Sequence, residues 1–99
     1  MKALSHQFIS LLFCFLKDPP ELSGTGQNAT VAGGVKHTFS CPVNGNPEPG
    51  IKWYNEKSST KISSEKQLVA GESGCYTCVA SNSLGTTVNI TQCLTISKF

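Results

Sequence analysis

The chain has 99 residues, 38% of them hydrophobic, and a formal net charge of +2. That is enough for one domain with a modest core, so extra staples are expected. All eight basic residues are lysines and they are scattered, which argues against a nucleic-acid surface, where clustered Lys/Arg and arginine forks are the rule.

The first residues differ from the rest. Lys2 supplies a positive start, and residues 8–16 form an apolar run that is too short to span a bilayer as a helix. Residues 1–18 therefore read as a signal peptide, with cleavage expected between 16 and 24, the alternative being an apolar N-terminal strand. Removal would take Cys14 with it and leave four cysteines of the original five, an even number that suits a secreted disulfide framework. No later segment is apolar for long enough to cross a membrane as a helix. The expectation is a small secreted domain at 19–99, or part of a longer receptor.

Beyond residue 20 short alternating runs are separated by turn residues, the pattern of an all-β sandwich. Pro19 and Pro20 suit an edge strand, because proline cannot donate to a ladder. A second edge strand is expected at 28–31, closed by Gly33 and Gly34. At 35–41, Val35, His37, Phe39 and Cys41 alternate with Lys36, Thr38 and Ser40, giving one inward face and one wet face. Residues 44–50 (NGNPEPG) read as a turn. In the next strand Ile51, Trp53 and Asn55 share one face, while Lys52 and Tyr54 share the other. Residues 56–64 read as a loop with at most a short edge strand. Short strands follow at 67–70 and 75–81, a turn at 82–85, and a long strand at 86–96 rich in Thr, Val and Ile.

Cys41, then Trp53 twelve positions on, then Glu72-x-Gly74-x-Tyr76-x-Cys78, resembles the immunoglobulin domain of the I-set or C2 type. The resemblance covers about residues 19–97. It implies a sandwich of two antiparallel sheets with about seven strands. It also implies a core bridge between Cys41 and Cys78, Trp53 packed on that bridge, and a corner in which the Tyr76 hydroxyl reaches back to the backbone. Trp53 and Cys78 are only 25 positions apart, so the middle strands must be abbreviated. This compact form is similar to the membrane-proximal domains of the intercellular adhesion molecules.

The Cys75-x-x-Cys78 spacing invites a metal or redox reading. Residues three apart on a strand point to opposite faces, so the two thiols cannot share a zinc ion or act as a tight redox pair. Tyr76 and Cys78 have the same parity and can both face inward, which turns Cys75 outward. If Leu94 and Ile96 face the core, Cys93 also faces out. A turn at 82–85 would set position 75 opposite 92, or opposite 93 after a one-residue bulge. A second, surface disulfide between Cys75 and Cys93 is therefore expected, with free thiols or an intermolecular bridge as the competing readings.

Asn28-Ala29-Thr30 and Asn89-Ile90-Thr91 are glycosylation sequons, and Asn89 shares the outward parity of Cys93. No Ser/His/acid set suggests catalysis, and neither a metal, a cofactor nor a small-molecule substrate is expected. Glu56, at the end of the Trp53 strand, stands where adhesion molecules of the superfamily can present an acidic residue to an integrin's metal ion, against the plainer reading of an exposed glutamate. The resemblance implies extracellular protein recognition in cell adhesion, with an integrin or another immunoglobulin-superfamily protein as the cell-surface partner. The alternative is a spacer domain in a multi-domain receptor or matrix protein.

Overall fold

The computed structural model describes residues 18–97; the expected signal peptide, Cys14 included, lies outside them apart from Asp18. The described chain is all strand and turn. In order these are β1 (Asp18–Leu22), β2 (Ala29–Ala32), β3 (His37–Ser40), β4 (Val43–Asn46), β5 (Gly50–Asn55), β6 (Thr60–Ser63), β7 (Gln67–Ala70), β8 (Gly74–Ser81) and β9 (Thr87–Ser97).

They form two layers. One is a five-stranded sheet in the order β2-β9-β8-β5-β6; the other comprises the pairs β1-β4 and β3-β7. β3 and β4 read as two halves of one broken strand. Between them Pro42 has no N–H to give to a ladder, and the Val43 amide bonds back to the Cys41 carbonyl at 2.9 Å. The first half therefore pairs β7 and the second pairs β1. β1 and β2 likewise divide the N-terminal segment between the layers. Nine elements thus correspond to about seven strands of a sandwich.

Each layer gives its inward parity to the core. Phe39, Cys41, Val43, Leu68 and Ala70 come from one side, and Trp53, Tyr76, Cys78, Ala80 and Leu94 from the other. Trp53 and Cys78 are fully enclosed and stand opposite each other in the β5–β8 ladder. The alternating burial of β8, from half-buried Cys75 through buried Tyr76 to half-buried Thr77 and buried Cys78, is that of a strand covered on one face only.

Three details depart from the sequence reading. Residues 43–46 are strand, and the turn is confined to 47–49. Asn-Gly-Asn composition favours a turn, but β1 supplies ladder partners here, and tertiary pairing overrides local preference. A Cβ on Gly45 would come within 2.9 Å of the Pro49 ring and 3.3 Å of the Pro20 backbone, so this close approach requires glycine. Val35 lies before β3 and is 49% exposed, not inward. Finally, Ser81 pairs with Thr87 rather than with residue 86. The loop is thus one residue longer than the expected turn, and the ladder runs without a bulge from there to Gly74.

Candidate recognition face

β8 sorts its residues between two environments. On its inner face Cys78 is bonded to Cys41, with Cα atoms 5.9 Å apart. Beside it the Trp53 indole N–H donates to the Glu65 carbonyl at 2.8 Å, which satisfies the one polar group of an otherwise apolar side chain. The Tyr76 hydroxyl donates to the Glu72 carbonyl at 2.6 Å, closing the corner. Burial, and then the neighbouring Glu72 charge, push the Tyr76 phenol above its ordinary value. Gly74 enters the strand at φ +148°, a conformation that side-chain-bearing residues rarely adopt.

On the outer face Cys75 is bonded to Cys93, its direct cross-strand neighbour, with Cα atoms 4.0 Å apart. The backbone shows what kind of rung this is. The Cys75 carbonyl accepts from the Glu56 amide at the end of β5, and the Cys93 amide donates to the Asn28 side-chain oxygen at 3.0 Å. Both groups point away from each other, so this is a non-hydrogen-bonded pair, in which side chains approach most closely. The bridge links strands where the ladder has no hydrogen bond of its own.

Next along this face lies Glu56. Its carboxylate accepts a hydrogen bond from the Thr77 hydroxyl. Thr77 is 2.8 Å from the Thr91 hydroxyl. Because Thr77 spends its proton on Glu56, Thr91 must donate to Thr77. The string Thr91–Thr77–Glu56 thus runs across three neighbouring chain segments and holds an exposed carboxylate in place. Asn55 shapes the turn beneath it: its side-chain oxygen accepts from the amides of Lys57 and Ser58, an Asx arrangement. Tyr54, Asn55, Glu56, Ser59 and Thr77 together line an open depression of about 350 Å³.

Asn89 is exposed on the same face, opposite Val79. It is two residues from Thr91, or about 7 Å along the strand. Asn28 lies at the sheet's β2 edge, exposed and bonded to Cys93. The structure thus brings Glu56, Asn89 and the outer bridge onto one face, with Asn28 at its margin and Cys41, Cys78, Trp53 and Tyr76 on the opposite side. No group of three or more His, Cys, Asp or Glu side chains that could hold a metal occurs among the described residues.

Sequence reading missed Gln92. It is 2% exposed; its side-chain oxygen accepts from the Gln27 amide at 3.0 Å and its NH₂ donates to the Ser40 carbonyl at 2.9 Å. It braces β9, the approach to β2 and the opposite layer. Its inward parity, shared with Leu94, was the available signal.

The immunoglobulin I-set domain family matches over residues 20–96. The chain is 30% identical over 78 residues to the cell adhesion molecule-related/down-regulated by oncogenes protein of Xenopus laevis, covering 69% of this chain and 6% of that protein. It is 28% identical over 92 residues to mouse vascular endothelial growth factor receptor 2, covering 81% and 7% respectively. The chain therefore spans less than a tenth of the length of either relative. Among solved structures, Sidekick-1 immunoglobulin domains 1–5 superpose with a TM-score of 0.74 at 23% identity, over 85% of this chain and 21% of that one. Dpr2 Ig1-Ig2 in complex with DIP-Theta Ig1-Ig3 does so with a TM-score of 0.67 at 23% identity, over 81% and 32%. On the family match, the two-layer fold and the buried Cys41–Trp53–Cys78 centre, this chain belongs to the immunoglobulin I-set domain family.

Proposed function

We propose that the domain is an extracellular recognition module and that it binds a cell-surface protein through the outer face of its five-stranded sheet. The observation that carries this reading is the Glu56 carboxylate, fixed by the Thr77–Thr91 hydroxyls on an open face. A preset acid loses little side-chain freedom on binding and steers a basic or metal-bearing partner. Two disulfides within one small domain favour an oxidising, extracellular setting, as do the expected signal peptide and the sequons at Asn28 and Asn89.

Among the partners considered, another immunoglobulin-superfamily protein is preferred to an integrin. One of the structural neighbours is seen in complex with a protein that itself carries immunoglobulin domains, and a pairing of that kind is what we propose for this domain. A glycan on Asn89 would cover the Val79 end of the face and confine binding to the Glu56 end. The test is surface binding of the purified chain to cells or to an array of immunoglobulin-superfamily ectodomains. Glu56→Gln should weaken capture about tenfold, the loss of one charge-assisted contact, and Thr77→Val should weaken it less, by the cost of ordering a carboxylate no longer held in place. Unchanged capture by both variants would remove this face from the interface.

A second reading, a spacer domain with no ligand of its own, is favoured by the small share of each relative that the chain spans. Absence of any captured partner would support it.

A further inference from the structure

Each layer of a sandwich ends in edge strands whose free backbone groups invite another strand, and natural proteins block such edges. Here the described edges are β1, β2, β6 and β7. β1 carries Pro19 and Pro20. β2 is entered past Asn28 of the first sequon, and β6 is distorted by a register shift where it meets β5. β7 has none of these devices. The short segment between β5 and β7 holds one strand, β6, and that strand pairs with β5 in the opposite layer. Among the described residues nothing pairs with the free side of β7.

The free groups can be named. The Cys41 amide bonds the Lys66 carbonyl, so the rung 41/66 is hydrogen-bonded. In an antiparallel ladder rungs alternate, which makes 39/68 and 37/70 bonded and leaves 40/67 and 38/69 open. The backbone N–H and C=O of Gln67 and Val69 therefore point off the edge. Alongside runs a depression of about 460 Å³ whose lining includes Ile62, Leu68, Val69, Ala70 and Tyr76. Two of these are openly apolar: Val69 is 62% exposed and Ile62 44%.

We propose that this edge pairs antiparallel with the β7 edge of a second copy of the chain. A two-fold axis at Leu68 sets Gln67 opposite Val69 of the second copy, and Val69 opposite its Gln67, so the free groups on each side are satisfied. The same register sets Lys66 opposite Ala70 of the second copy, two residues before Glu72 in the corner that follows β7, and the reverse. Lys66 and Glu72 are both exposed, and opposite charges brought near each other at the two ends of the seam attract. The edge is thus complementary to itself in backbone, apolar and charged groups. A four-residue seam is well below the ~1,200 Å² of a standard stable interface, so the dimer is weak and concentration-dependent. Neither Asn28 nor Asn89 lies in this layer, so sugars there leave the edge open.

The experiment is sedimentation velocity on the purified chain from low micromolar to millimolar concentration, with circular dichroism to confirm that each variant is folded. The wild type should shift from monomer toward dimer. Val69→Pro removes an outward N–H without touching the β3–β7 ladder, and should hold the chain monomeric. Lys66→Glu should weaken the dimer about tenfold by turning two attractions into repulsions. Lys66→Glu with Glu72→Lys should restore it, because each copy then presents the swapped pair to the other. A wild type monomeric throughout overturns the proposal. So does a dimer indifferent to Val69→Pro, or a folded double variant that fails to recover. The charge series keeps the test intact if the proline variant does not fold.

Discussion

The two disulfides leave the same strand three residues apart and enter different worlds. Cys78 meets Cys41 across the core, where neither is more than 1% exposed. Cys75 meets Cys93 sideways on the outer face, half-buried, beside a fixed carboxylate. One bridge holds the layers together; the other staples adjacent strands of one sheet. A C-x-x-C spacing that on a turn or helix would make a redox or metal site is, on a strand, divided by the pleat. The same division gives the domain its two sides, a core built around Trp53 and a face built around Glu56.

The strongest way to break the inner side is to remove its bridge. The inner cysteines are 37 positions apart, which in the chain-entropy treatment makes the bridge worth about 3.9 kcal/mol. Cys41→Ala with Cys78→Ala should cost about that much in chemical denaturation, a large share of the stability of so small a domain. The outer cysteines are 18 positions apart, and Cys75→Ser with Cys93→Ser should cost about 3 kcal/mol or less. A mild dithiol followed by alkylation should label Cys75 and Cys93 first, because the outer sulfurs are the accessible ones. Labelling of Cys41 and Cys78 at an equal rate would erase the distinction.

A smaller effect is expected at the corner. Tyr76→Phe removes one hydrogen bond, worth about 1 kcal/mol at neutral pH. It should also change the alkaline behaviour. The Tyr76 phenol titrates above its ordinary 10.0 in the folded chain, so the unfolded chain loses that proton first. The associated stability is fully present below pH ~10 and falls as pH rises through the folded value. Urea titrations at neutral and alkaline pH should show this loss in the wild type and less of it in Tyr76→Phe. The smallest stability effect belongs to the outer face: Glu56→Gln should alter stability by less than about 0.5 kcal/mol, while removing the binding proposed for it.

Much of this was legible in the sequence because parity is local information. Alternation at 51–55 and 75–81, together with the Cys41, Trp53 and Tyr76 spacing, is enough to place the sandwich and its inward face. What escaped depends on partners distant in sequence. Residues 43–46 carry turn-forming composition, and only pairing with β1 makes them strand. The Ser81–Thr87 register is set by how the whole β8–β9 ladder closes, not by the loop residues alone. Gln92 looks like a surface side chain until Gln27 and Ser40 approach it from two other segments. The Thr77–Thr91 string under Glu56 joins residues that touch only across strands. The face around Glu56 was thus half visible: its acid could be singled out, but not what holds it.

The assignment of the two β8 cysteines to opposite faces can be read directly from their pairing. Chymotrypsin cuts after Tyr76, between Cys75 and Cys78, so a denatured, alkylated and non-reduced digest separates them for mass spectrometry. The peptide bearing Cys78 should stay linked to that bearing Cys41, and the peptide bearing Cys75 to that bearing Cys93. Linkage of Cys41 to Cys75, or alkylated Cys75 and Cys93 in the unreduced protein, would contradict it.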